Sequence, residues 1–229
     1  METPKPKKFL VFDAGPLISL TMNGLLDVLE KLKKEFQGEF ILTPYVKKEV
    51  IDKPMGIRKY KFEAVRIAYL LEKGILKMSS DFVSNQNLER ETESIMKQAN
   101  NCFKTTGSGL ELIQRGEASC LAFSRLCKCE SVIVVDERTM RFLVESPENL
   151  EELLSRKLHV RTRVTKSKIK QFRDFKLIRS AELVYLAYKK NLFDMKENKD
   201  LLDAVLYGLK STGTSISSQE IEEMKALVR

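Results

Sequence analysis

The chain has 229 residues, 43% of them hydrophobic, which is enough for one α/β domain with insertions and a proper core. No run of eighteen apolar residues exists, and the opening "METPKPKKFLVF" has too short an apolar run for a signal peptide, so a soluble, cytoplasmic chain is expected and a membrane protein is not. The formal charge of +8 is concentrated between residues 155 and 180, where ten Lys or Arg residues face Asp174 alone; a polyanion such as RNA or DNA is the expected partner, against the plainer reading of a solvated basic face.

In chain order, "KFLVF" (8–12) reads as a buried strand, and a helix is expected from Pro16 to Glu35 with Leu17, Leu20, Leu25, Leu29 and Leu32 on one side. "EFILT" (39–43) is a second strand. Thr43-Pro44 then serves as N-cap and first residue of a helix to Asp52. A helix over 59–73 ends at Gly74, and "ILKM" (75–78) is a third strand. Residues 79–107 are polar and read as an insertion with a helical centre at 88–99; 110–114 reads as a helix broken by Gly116. Helix 117–127 leads to the strand "SVIVV" (131–135). Helices over 138–145 and 149–158 precede the basic segment, part of a second insertion at 146–173. "FKLI" (175–178) is a last strand, and helices near 181–190, 200–210 and 218–227 close a single domain. Strands separated by helices imply an open parallel sheet of about five strands, covered on both faces. Cys102, Cys120, Cys127 and Cys129 have no disulfide spacing. Cys127-x-Cys129 is too tight for paired zinc ligands and His159, the one histidine, is remote, so reduced thiols are expected.

Asp13 and Asp136 each follow a strand directly, so both fall at the carboxyl edge of a parallel sheet, where open α/β sheets bind ligands. Glu117, at the start of the helix returning before strand 131–135, falls at the same edge, where a helix N-terminus favours negative charge. Glu49 lies in the helix leaving that edge. Taken singly, each has a plainer role as a cap, turn former or surface residue. Together the four acids would repel one another unless cations neutralise them, and hard, oxygen-preferring Mg²⁺ or Mn²⁺ suits that task. Such ions generate hydroxide and stabilise charge at a phosphodiester, so the pattern reads as a metal-dependent nuclease. Glu137 reads as a supporting or solvated residue.

The motifs resemble those of the PIN-domain family: "FLVFDAGPLISL" its first, "LTPYVKKEV" its second, "GEASCLAFS" its third, and "VIVVDERTMR" its fourth, closed by Arg141. "LIRSAELVYLAYKKNLF" and "LLDAVLYGLKSTGTSIS" resemble the tail of prokaryotic members. The resemblance implies a helix-covered parallel sheet and Mg²⁺- or Mn²⁺-dependent endoribonuclease activity. Asp13, Glu49, Glu117 and Asp136 would be its acidic quartet, with the metal held by Asp13, Glu117 and Asp136. It also implies homodimers, and either an antitoxin partner or a role in RNA processing or decay. Arg156, Lys157, Arg161, Arg163, Lys166, Lys168, Lys170 and Arg173 are the expected RNA contacts. Two positions depart from the family pattern: Ala14-Gly15 stands where many members place a hydroxyl, and Glu137 where Asp is common. A catalytically weak or inactive RNA-binding module in a processing complex is the alternative, and an antitoxin-bound toxin a second. A haloacid-type phosphatase is disfavoured because Asp13-Ala-Gly lacks that family's second Asp.

Overall fold

A computed structural model describes residues 8–104, 112–159, 162–195 and 198–228. Strand β1 (Lys8–Phe12) leads into α1 (Ala14–Met22) and α2 (Leu26–Glu35). After β2 (Glu39–Leu42), α3 (Pro44–Lys47) widens into a π-helical turn (Lys48–Asp52) and returns to α geometry in α4 (Lys53–Met55). Then come α5 (Lys61–Glu72), β3 (Leu76–Met78), α6 (Asn85–Asn100), β4 (Phe103–Lys104), α7 (Arg115–Leu126) and β5 (Glu130–Val134). The chain continues through α8 (Arg138–Glu145), α9 (Pro147–Leu158), β6 (Arg163–Val164), α10 (Lys166–Ile169) and β7 (Leu177–Ile178), and ends in α11 (Ser180–Lys189), α12 (Leu201–Ser211) and α13 (Ser218–Ala226). No described helix is long and apolar enough to cross a membrane.

Five strands form one all-parallel sheet in the order β3-β2-β1-β5-β7, the α/β architecture expected. From β1 the chain winds one way to β2 and β3, then reverses to β5 and β7. Right-handed crossovers put the helices of the two halves on opposite faces. Accordingly α1 packs with α5, while α7 packs with α6 and lies against β1 and β5; outside these crossovers, α11 after β7 returns to α1, and α3 at the exit of β2 touches α7. Phe12, Phe40, Phe123, Leu17 and Ile133 are among the side chains fully buried between these layers. The winding reverses between β1 and β5, and such a switch point opens a crevice beyond the strand ends.

The expected 16–35 helix is two helices. The chain breaks at Asn23-Gly24, where Gly24 has φ +70° and the Asn23 amide donates to the Ser19 carbonyl at 2.7 Å. Residues 112–114 are not helical; α7 starts at Arg115 and carries Gly116 inside its first turn, with the Glu117 carboxylate reaching back to accept from the Gln114 N–H. Leu110 and residues 105–107 lie outside the described residues.

The two insertions are not independent additions. β4 from the first pairs antiparallel with β6 from the second, and Thr165 N–H donates to Cys102 O at 2.7 Å. Helix α6 packs along α7 through buried Leu88, Ile95 and Ala99, while Ile169 and Phe172 bury the basic segment against the core.

Buried hydroxyls join the second strand's exit to α7. Val46 N–H donates to Thr43 Oγ1 at 3.3 Å, and Thr43 Oγ1 lies 2.6 Å from Ser119 Oγ. Ser119 spends its proton on Gly116 O at 2.6 Å, so Thr43 donates to Ser119. Thr43→Val keeps the volume and loses both bonds. It is expected to cost about 1–2 kcal/mol in a urea titration, with an unchanged m-value.

Candidate active site at the carboxyl edge

Parallel pairing aligns Phe12 with Val134, so Asp13 emerges beside Val135 and Asp136 follows one residue later at the same edge. Asp13 N–H donates to Val134 O at 3.0 Å, and a Cβ built on Gly15 would sit 3.8 Å from both Asp13 Oδ2 and Asp136 Cβ. Asp13 is 6% exposed, Glu117 7% and Asp136 3%, so three carboxylates are removed from water at one sheet edge. Glu49, the half-buried fourth, joins them through the π-helical turn. Pro54 explains that turn: in regular α geometry its ring clashes with the carbonyl four residues back, and an extra residue per turn relieves the clash. The widened turn aims Glu49 at α7, where a Cβ on Gly116 would lie only 3.0 Å from Glu49 Oε1. Gly116 is therefore the close-approach point between two acidic segments, not a helix breaker.

Each acid is held differently. Glu117 Oε2 accepts from Gln114 N–H at 2.7 Å, so it caps its own helix and faces the edge at once. Both Asp136 oxygens are engaged: Oδ1 by Ser180 N–H at 2.8 Å, Oδ2 by Ser180 Oγ at 2.7 Å and Thr214 Oγ1 at 3.0 Å. Ser180 starts α11 and Thr214 follows α12, so residues 44 and 78 positions downstream fix this carboxylate. No motif around Asp136 points to them; Ser180 alone had a signal, as a hydroxyl two residues after the last sheet strand.

Burial pushes the Asp13 carboxyl up to about 7; the Ala14 and Gly15 N–H groups oppose this, while repulsion from Glu49 and Asp136 adds to it. Burial, reinforced by Asp13, Glu137 and Glu49 and opposed by the Gln114 N–H, raises Glu117 to about 8. Burial also raises Asp136 despite its hydrogen bonds, and raises Glu49 despite the nearby Lys53 charge. Among the described residues no Lys, Arg or His pairs with any of the four within 4.0 Å. Nor, among the described residues, do any three His, Cys, Asp or Glu side chains gather closely enough to hold one metal ion. In donor type and charge the acids fit a hard divalent cation: carboxylate oxygens in deficit of positive charge. Cys120, buried one turn after Gly116, has its thiol pushed well above the usual range by burial and by Asp13, Glu117 and Glu49, so it remains a protonated spectator.

The remaining expected site residues fall elsewhere. Glu137 is an exposed N-cap of α8, accepting from Thr139 N–H and from Met140 N–H at 3.1 Å. Arg141 donates to Ser215 O at 3.3 Å and pairs with Glu145, touching the Thr214 turn rather than Asp136 itself. Arg156, Arg163, Lys168, Lys170 and Arg173 are exposed, and Arg156 pairs with Glu152. Arg161 and the side chains of Lys157 and Lys166 lie outside the described residues. Gln171, Asp174, Phe175 and Lys176 share a cleft with the end of α7 (Ser124, Arg125) and the start of β5 (Glu130, Ser131). The 170–176 stretch therefore sits towards the amino end of the sheet, roughly one strand length, about 16 Å, from the acids. Lys176 pairs with Glu130, and Arg179 is buried against Glu182 and Glu220, so neither is free basic surface.

Comparison of the chain with protein-family models, curated protein sequences and solved structures finds no match.

Because Asp13 and Glu117 take up protons more readily folded than unfolded, the folded chain holds the extra protons between about pH 4 and about pH 8. Their contribution is fully present below the unfolded acid range and is lost as pH rises to 8. In EDTA, thermal unfolding should therefore show a lower midpoint at pH 8 than at pH 5.5. Asp13→Asn, which keeps the shape and drops the buried charge, should raise stability at pH 8 by on the order of 1–3 kcal/mol.

Proposed function

We propose that this chain is a divalent-cation-dependent ribonuclease of the PIN-domain type, hydrolysing RNA phosphodiester bonds at the Asp13, Glu49, Glu117 and Asp136 edge. The observation that carries this reading is a set of carboxylates at the switch point of a parallel sheet, three of them buried, with no cationic side chain paired to them among the described residues. Unpaired buried charge is costly, and a bound cation is the economical remedy. When bound, Mg²⁺ or Mn²⁺ supplies an activated water and neutralises charge on the phosphate.

The chain's own residues have distinct tasks in this reading. Asp13, Glu117 and Asp136 would hold the ion by closing around it, since no three described side chains gather closely enough without one. Ser180 and Thr214 lock the Asp136 rotamer, and the Gln114 N–H fixes Glu117 through one oxygen, leaving Oε1 for the site. Glu117 would complete the site or orient the attacking water, and Glu49, the least buried of the four, would act through water or bind a second ion. Gly15 leaves room for the hydroxyl that many PIN proteins carry beside the first Asp. The preference for RNA over DNA rests on the sequence resemblance, and the paired insertions support a processing role over a compact toxin. A second reading, RNA binding without cleavage, is favoured by the engagement of both Asp136 oxygens in hydrogen bonds and by the lack of three converging ligands among the described residues.

Labelled single-stranded RNA and DNA, incubated with Mn²⁺, Mg²⁺ or EDTA, separate the two. The nuclease reading expects metal-dependent RNA cleavage that falls at least a hundredfold in Asp136→Asn while the protein remains folded by circular dichroism. RNA retention with no cleavage in any metal would establish the binding module instead. Gly116→Ala should displace the Glu49 carboxylate by a few tenths of an ångström without unfolding α7, which gains helix propensity of about 1 kcal/mol. It should lower the cleavage rate about tenfold, with the propensity gain and the crowding against Glu49 offsetting each other in the thermal midpoint.

A further inference from the structure

Three arginines meet at one residue beside Asp136. Ser215 directly follows Thr214, and its N–H donates to Asp136 O at 3.3 Å. Its carbonyl accepts from Arg179 Nη1 at 2.9 Å and from Arg141 Nη1 at 3.3 Å, while Arg138 Nε donates to its hydroxyl at 3.2 Å. The three are not equally spent. Arg179 is buried and neutralised by Glu182 and Glu220, so it braces the turn. Arg141 is half-buried and matched by Glu145. Arg138 is exposed, has no acidic partner within 4.0 Å among the described residues, and uses only Nε; both terminal nitrogens lack a protein partner there. The neighbouring Glu137 carboxylate turns into the first turn of α8 to accept its N–H groups, so it does not close Arg138 off.

A guanidinium anchored through Nε presents its other two nitrogens as a planar fork, the geometry that matches two oxygens of a phosphate. The anchor also removes part of the rotamer entropy that an arginine otherwise loses on binding. The fork stands one residue from the turn that pins Asp136, whereas the 170–176 part of the basic segment lies towards the other end of the sheet. We propose that Arg138, oriented by Ser215, is the phosphate-binding residue that seats the substrate strand at the acidic edge. This inference rests on the nuclease reading and deepens it by naming where the polyanion is held.

The test is equilibrium binding of a fluorescein-labelled single-stranded RNA in EDTA across a salt series, using the full chain. Arg138→Gln is compared with wild type and with Lys34→Gln, an equal charge loss near the end of α2. Arg138→Gln should weaken binding about three- to tenfold at low salt and reduce the slope of log affinity against log salt by about 0.7, one phosphate contact on a single strand. Lys34→Gln should leave that slope unchanged, and Arg138→Lys should restore most of it while regaining less affinity, since a point charge replaces a fork. Wild-type binding with an unchanged slope in Arg138→Gln, or equal loss in Lys34→Gln, overturns the assignment and leaves the nuclease reading standing. No RNA binding by wild type at low salt overturns the assignment, while the cleavage assay decides the nuclease reading separately.

Discussion

The parallel pairing of β1 with β5 governs everything at the carboxyl edge. With Phe12 opposite Val134, two strands far apart in sequence must end together; Asp13 follows β1 directly and Asp136 follows β5 after Val135. The winding reverses at this pair, so the crossover helices leave to opposite faces. A slip of one residue in this register would turn the buried side chains of β1 to the opposite face. The same interactions that fix the core therefore fix the spacing of the acids.

That spacing has an energetic price. Three carboxylates out of water, each pushed towards protonation, are groups that a fold selected for stability alone would replace. The surrounding structure shows where compensation comes from. Asp136 receives three hydrogen bonds from the α11 start and the Thr214 turn, Glu117 caps α7, and the Thr43–Ser119–Gly116 chain satisfies buried hydroxyls next to the acids. Asp13 receives only the Ala14 and Gly15 N–H groups and is still raised to about 7, and groups perturbed in this way concentrate where a protein binds or reacts.

Much of this was readable in the residues, for reasons that differ by element. Short apolar runs bounded by acids could only be buried strands with polar exits, so β1, β2 and β5 and the edge position of Asp13 and Asp136 followed directly. The break between α1 and α2 had a signal in the Asn23-Gly24 dipeptide, which the strong leucine stripe masked. Pro54 likewise marked the π-helical turn that brings Glu49 inward. Gly116 looked like a breaker because a lone sequence does not show that a carboxylate from another helix needs the space of its missing side chain. Ser180, Thr214 and Ser215 reach the site only through tertiary folding. The charge run at 155–180 was conspicuous, yet charge density along a chain carries no information about which end of a sheet it will cover.

The pairing of β4 with β6 ties the two insertions into one unit. Each contributes two strand residues, too few to persist alone, and Cys102 in one accepts from Thr165 in the other. The unit also reaches the acids, since Asn100 Oδ1 holds Leu112 N–H at 2.9 Å just ahead of the turn that starts α7. In an evolutionary sense these segments behave as a single module. A lineage that lost one would leave the other with an open edge and a poorly supported entry to Glu117, so descendants of this chain are expected to carry both or neither.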